Sequence, residues 1–128
     1  MRYLCLHYPD PKAMGALSTS EREVAEAENE RCLQRLRHGR QGGLSVRLHP
    51  EVTATTVGVR GARTRIEDGP ATRAGVAPHA LLVIEARDLN DAIRIVAQMP
   101  WARYGAVEIR PTRCEWTDRS PPGGSGSS

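Results

Sequence analysis

The chain has 128 residues, the length of one domain, and can bury a core without disulfides or a structural metal. Apolar residues make up 39% of it, aromatics only 4%, and phenylalanine is absent, so a lean core of Val, Leu, Ile and Ala is expected, one that favours burying further surface in an oligomer. The net charge is +3, but the 15 acidic residues are interspersed among the 18 basic ones and no long block of one sign occurs, so nucleic-acid binding is not expected. Cys5, Cys32 and Cys114 are odd in number and none stands in a Cys-x-x-Cys pair, which argues against a disulfide framework or a zinc site. Cys5 and Cys32 read as small core residues. No stretch approaches the roughly 20 apolar residues of a membrane span, and the N-terminal apolar run is too short for a signal peptide; a cytoplasmic chain is expected.

In chain order, residues 2–8 are aromatic and aliphatic and end at Pro9-Asp10-Pro11, which predicts a first, central strand. Ser18-Thr19-Ser20-Glu21 is a capping box, in which the Ser18 hydroxyl accepts from the Glu21 N–H and the Glu21 carboxylate reaches back to the Ser18 N–H. The helix it opens should run to about Arg37 and stop at Gly39, with Ala25, Asn29, Cys32, Leu33 and Leu36 on its inner face. Leu44–Leu48 alternates as a short strand. The β-branched segment 53–59 and Arg63–Glu67 form a hairpin broken at Gly61, and Asp68-Gly69-Pro70 is a turn. Residues 71–79 read as a loop, and Ala80–Ala86 as a strand buried on both faces. Asp88 caps a second helix whose Leu89, Ala92, Ile93, Val96 and Ala97 follow helical spacing until Pro100. Ala106–Arg110 is the last alternating strand, and residues 117–128 are a Pro/Gly/Ser tail expected to be disordered after a single domain over 1–116.

This order predicts an α+β fold of ferredoxin-like plan: a mostly antiparallel sheet with two helices on one face. The other face would be left open, to be covered most simply by a second copy through a two-fold contact.

Several segments resemble one family in order along the chain. Met1-Arg2-Tyr3-Leu4…Tyr8 looks like its first strand, and Leu17-Ser18 with Glu21-Arg22-Glu23 like the start of its first helix. Thr53-Ala54-Thr55-Thr56-Val57 is similar to its Thr-Ala-Thr-Thr-Val strand, and Asp68-Gly69-Pro70 to three residues of its Asp-Gly-Pro-Phe signature. Asp88-Leu89-Asn90-Asp91-Ala92-Ile93 and Gly105-Ala106-Val107-Glu108-Ile109-Arg110-Pro111 resemble its second helix start and closing strand. On these residues the chain resembles the YCII-related, DGPF-type family. That resemblance implies a ferredoxin-like fold pairing as a dimeric α/β barrel, in a bacterial family whose members are often encoded near alternative sigma factors. It also implies a pocket between sheet and helices, for which enzymatic activity has been suggested. The sequence departs from the pattern at Ala71, where the signature has Phe, and at Arg73-Ala74-Gly75-Val76. It departs again at His79-Ala80, where relatives carry paired glycines, and at Asn29, where they often carry His.

Four residues stand out as lining such a pocket. Asn29 is an amide on an otherwise apolar helix face and must be hydrogen-bonded or functional. Asp68 could act on a ligand or bond its own turn. Arg73 would suit an anionic ligand, and His79 is the imidazole nearest to both. No residue is singled out as catalytic. No serine-hydrolase elbow, phosphate loop or metal motif occurs, and no metal or cofactor is expected. The expected function is a homodimeric small-molecule-binding fold with a degenerate acid–base pocket. The competing expectation is an interaction module, an accessory to a transcription-related protein partner, which would show an exposed apolar or Arg-rich patch.

Overall fold

A computed structural model of the chain describes residues 1–73 and 75–113; the expected tail and Cys114 lie outside them. The strands are β1 (Arg2–Pro9), β2 (Gly42–Arg47), β3 (Thr55–Arg60), β4 (Arg63–Asp68), β5 (Ala80–Glu85) and β6 (Gly105–Pro111). The helices are α1 (Pro11–Gly15), α2 (Thr19–His38), α3 (Leu89–Ala97) and α4 (Pro100–Arg103). Among the described residues, no helix is long and apolar enough to cross a membrane.

Four strands form one sheet in the order β2-β5-β1-β6, antiparallel throughout, with β1 central as its apolar N-terminal run predicts. With α2 linking β1 to β2 and α3 linking β5 to β6, this is the ferredoxin-like plan. β3 and β4 form a separate two-stranded ribbon between β2 and β5, closed at Gly61, whose φ of 60° fits the first position of a tight hairpin. Its paired Val57 and Ile66 are exposed.

The register sorts the sheet into two faces. Tyr3, Cys5 and His7 of β1 stand opposite Ile84, Leu82 and Ala80 of β5 and opposite Pro111, Ile109 and Val107 of β6. This row meets Cys32, Leu33 and Leu36 of α2, Ala92, Ile95 and Val96 of α3, and then Met99 and Trp101, in one core. Burying Leu82 and Ile84 contributes about 1.5–3 kcal/mol each. The alternate row, Leu4 and Leu6 with Leu81 and Val46, lies on the opposite face and is half-buried.

Both helix starts expected from sequence are present. Ser18 and Glu21 make the two reciprocal capping bonds, worth about 1 kcal/mol. Asp88 accepts the Asp91 N–H at 2.8 Å. Two short helices were not expected. Pro11 and Pro100, read as stops, each also open a helix, because proline lacks the N–H that a first turn leaves unused. Asp10 completes the first by accepting from the Lys12 N–H at 3.0 Å. β2 begins two residues earlier than its alternation suggests, at Gly42, where a Cβ would come within 2.8 Å of Leu36 on α2.

Candidate functional site

At one end of the sheet the ladder between β1 and β5 continues one step past its paired residues. The His79 N–H donates to the His7 carbonyl at 2.8 Å, and the Leu48 N–H donates to the His79 carbonyl at 3.0 Å. His79 is therefore held on both sides by backbone. Because side chains alternate along a strand, the two histidines face opposite sides of the sheet.

His7 lies on the helix side. Its imidazole stacks on the Trp101 indole, with centroids 4.7 Å apart and planes 3° from parallel. Burial pushes its pKa down to about 4, the nearby His79 pushes the same way, and Glu26 on α2 pulls partly back. Glu26 is tied to Arg47 at the end of β2, at 2.6 Å. Asn29 stands one turn further along α2, buried, with its Oδ1 unpartnered among the described residues.

His79 opens on the other side into a cavity of about 670 Å³. Tyr8, its neighbour on β1, shares the floor. Pro11 and Met14 of α1 form one wall, and Val52 and Val76 line another part. Prolines 9, 11 and 50 fix the rim, since each presets φ and has no N–H to satisfy. Glu51, which opens a 3-10 turn over Glu51–Thr53, supplies the carboxylate of the lining. One of its oxygens accepts the Gly75 N–H; the other, Oε2, is buried without a partner among the described residues. Gly75 has φ 88°, a conformation that favours glycine. The Tyr8 hydroxyl is engaged elsewhere, donating to Glu108 at 3.3 Å.

Of the four residues singled out from sequence, His79 lines this cavity; Asn29, Asp68 and Arg73 do not. Asn29 is on the helix side of the sheet. Asp68 is exposed at the end of β4, where it pairs with Thr55, and the following Gly69 is fixed by its N–H to Ala54 at 2.7 Å and its carbonyl to the Thr56 hydroxyl at 2.7 Å. That is a structural turn. Arg73 is exposed, its carbonyl accepting the Val76 N–H at 3.2 Å. What shares the cavity lining with His79 instead is Tyr8 and Glu51. Glu51, an isolated acid after a proline in an irregular stretch, carries no local signal; only the fold brings Gly75 to it. Arrayed this way, the site can enclose an apolar body beside an imidazole, a phenol and a carboxylate.

The model of the YCII-related domain matches residues 1–117. Among solved structures, the chain is similar to the 5-chloro-2-hydroxyhydroquinone dehydrochlorinase of Burkholderia phenoliruptrix AC1100, solved in complex with 2,5-dihydroxybenzoquinone. The identity is 15%, the alignment covers 88% of this chain and 94% of that one, and the TM-score is 0.50. This likeness supports the ferredoxin-like type of fold. A search of curated proteins finds no match.

Proposed function

The chain belongs to the YCII-related family, and from that premise we propose that it is a homodimer that binds a small organic molecule in the cavity beside His79, with His79 as its acid–base group. The observation that carries this reading is the cavity itself. Its volume falls within the range of small-molecule sites, roughly 300–1,000 Å³, and it joins an apolar lining to three polar side chains, Tyr8, Glu51 and His79. A solved protein of the same fold is named as an enzyme of small aromatic compounds, which agrees with a small-molecule role. The half-buried apolar row Leu4, Leu6, Leu81 and Val46 supports pairing through the open sheet face. The cavity favours ligand binding over the role of a transcription accessory acting through its surface alone.

The test is a screen of aromatic and alicyclic fragments by saturation-transfer NMR on the wild-type protein and on Val76→Trp, which fills the cavity from its rim. Hits lost in the variant support the site. Hits that survive it, or no hits at all, sink the proposal.

A further inference from the structure

We infer that the cleft between the C-terminal halves of α2 and α3 binds a small oxyanion, a phosphate or carboxylate group, held by Arg35 and Arg94. The cleft lies on the helix side of the sheet, across from the cavity beside His79, and the inference does not depend on how that cavity is read.

The cleft has a volume of about 220 Å³, and its floor includes the core residues Leu36 and Ile95. The polar side chains around it all carry donors: the guanidiniums of Arg35 and Arg94 and the carboxamides of Gln41 and Gln98. No Asp or Glu is among the described residues lining it. Gln41 is fixed by its backbone, whose N–H donates to the Leu36 carbonyl at 2.8 Å and whose carbonyl accepts the Glu85 N–H at 2.6 Å. Arg35 makes no ion pair among the described residues; its Nη2 donates to the Cys32 Sγ at 3.3 Å, a weak acceptor. Arg94 gives one N–H to Asp91 at 2.7 Å, and Asp91 is shared with Arg87, whose Nε lies 3.6 Å away. Basic side chains in a last helical turn can serve its free carbonyls. Here the backbone does so: the Gly39 and Gln41 N–H groups bond the Arg35 and Leu36 carbonyls, and the Gln98 and Met99 N–H groups bond those of Ile95 and Val96. The charges of Arg35, Arg87 and Arg94 outweigh Asp91 together with the roughly half-unit negative charge at each helix end. The cleft is thus left positive, and the planar fork of a guanidinium matches the oxygens of a phosphate or carboxylate.

The probes are inorganic phosphate and malonate, each titrated at about pH 7.5 against sodium chloride of equal ionic strength, so that screening is held constant. NMR follows the Arg Nε–H and Gln side-chain amide signals. In wild type the signals of Arg35, Arg94 and Gln98 should move together and saturate with at least one probe, at a Kd of about 5 mM or tighter. The probe that binds tells which group the cleft takes. Arg35→Gln should weaken that binding at least about tenfold. Arg35 is exposed, so the thermal midpoint should be retained. Arg37→Gln removes the same charge from the same helix outside the cleft, and should weaken binding less than about twofold. No saturation below about 50 mM with either probe in wild type, a result that needs no variant, overturns the inference. So does saturation confined to other residues, and so does equal weakening by the two variants, which would reduce the effect to net charge.

Discussion

The imidazole of His7 lies flat on the indole of Trp101, 4.7 Å between centroids, and joins the central strand to the short helix that opens with Pro100. This contact desolvates a group that carries charge in the unfolded chain at mildly acid pH. The pKa of His7 is about 4 in the fold against an ordinary 6.5, so the folded state binds fewer protons between these values. Stability therefore rises with pH across this window: the contribution is complete above about 6.5 and is lost as pH falls toward 4. The thermal midpoint of wild type should drop between those pH values by more than that of His7→Phe, which keeps a stacked ring but cannot titrate. Parallel profiles of the two proteins would show that His7 does not govern the acid limb.

A second acid response should come from Asp91, a buried carboxylate at the start of α3. It accepts the Arg87 N–H at 3.0 Å and an Arg94 guanidinium N–H at 2.7 Å, and these bonds hold its pKa at about 2, below the usual 3.8. The sign is the one typical of a carboxylate: the stabilisation is present above about 3.8 and is lost as pH falls toward 2. Asp91→Asn should melt several degrees lower at neutral pH and show a flatter profile between pH 4 and 2. An unchanged midpoint at pH 7 would contradict this.

Gly105, at the start of β6, is a steric requirement. A Cβ there would lie 2.5 Å from the Tyr8 carbonyl oxygen and 2.8 Å from the Pro9 Cα, both backbone atoms that cannot swing away. Gly105→Ala should lose about 1–3 kcal/mol in urea denaturation. Gly58, which has open space around its missing Cβ, is the matched control and should change far less as Gly58→Ala. Equal effects at the two sites would refute the packing argument.

The proposed dimer can be tested at the centre of the open sheet face. Leu6 pairs with Leu81 across β1 and β5 in the row turned away from the helices. In sedimentation, wild type should run as a dimer, and Leu6→Glu should run as a monomer with its helical circular dichroism retained, since the helix-side core is untouched. A wild-type monomer would remove the shared-sheet arrangement.

The parts legible in the sequence are those specified within a few residues. Ser18 and Glu21 bond each other across one helical turn, Asp88 caps the helix that follows it, and the apolar run from Ala80 fits a buried strand. From these the α+β class, the central first strand and the ferredoxin-like order follow. The turn at Asp68-Gly69 was also visible as turn chemistry. Even there, the double meaning of Pro11 and Pro100 was hidden, because a stop and a start share the same residue and only the next few contacts decide between them.

The site was much less legible, for a physical reason. Periodicity reports which face a residue occupies, not what comes to meet it from a distant part of the chain. His79 could be singled out as an imidazole beside a strand; nothing local foretold that it would share a cavity lining with Tyr8 and Glu51, or that Asn29 would lie across the sheet from the cavity. Those relations depend on strand register, in which one residue's shift exchanges the two faces. The amino-acid pattern by itself thus determined the elements and their order, through bonds made along the chain. Packing of β1 against β5, and the Glu51 bond to Gly75, decided where a ligand could be held, because those contacts exist only once the chain has closed on itself.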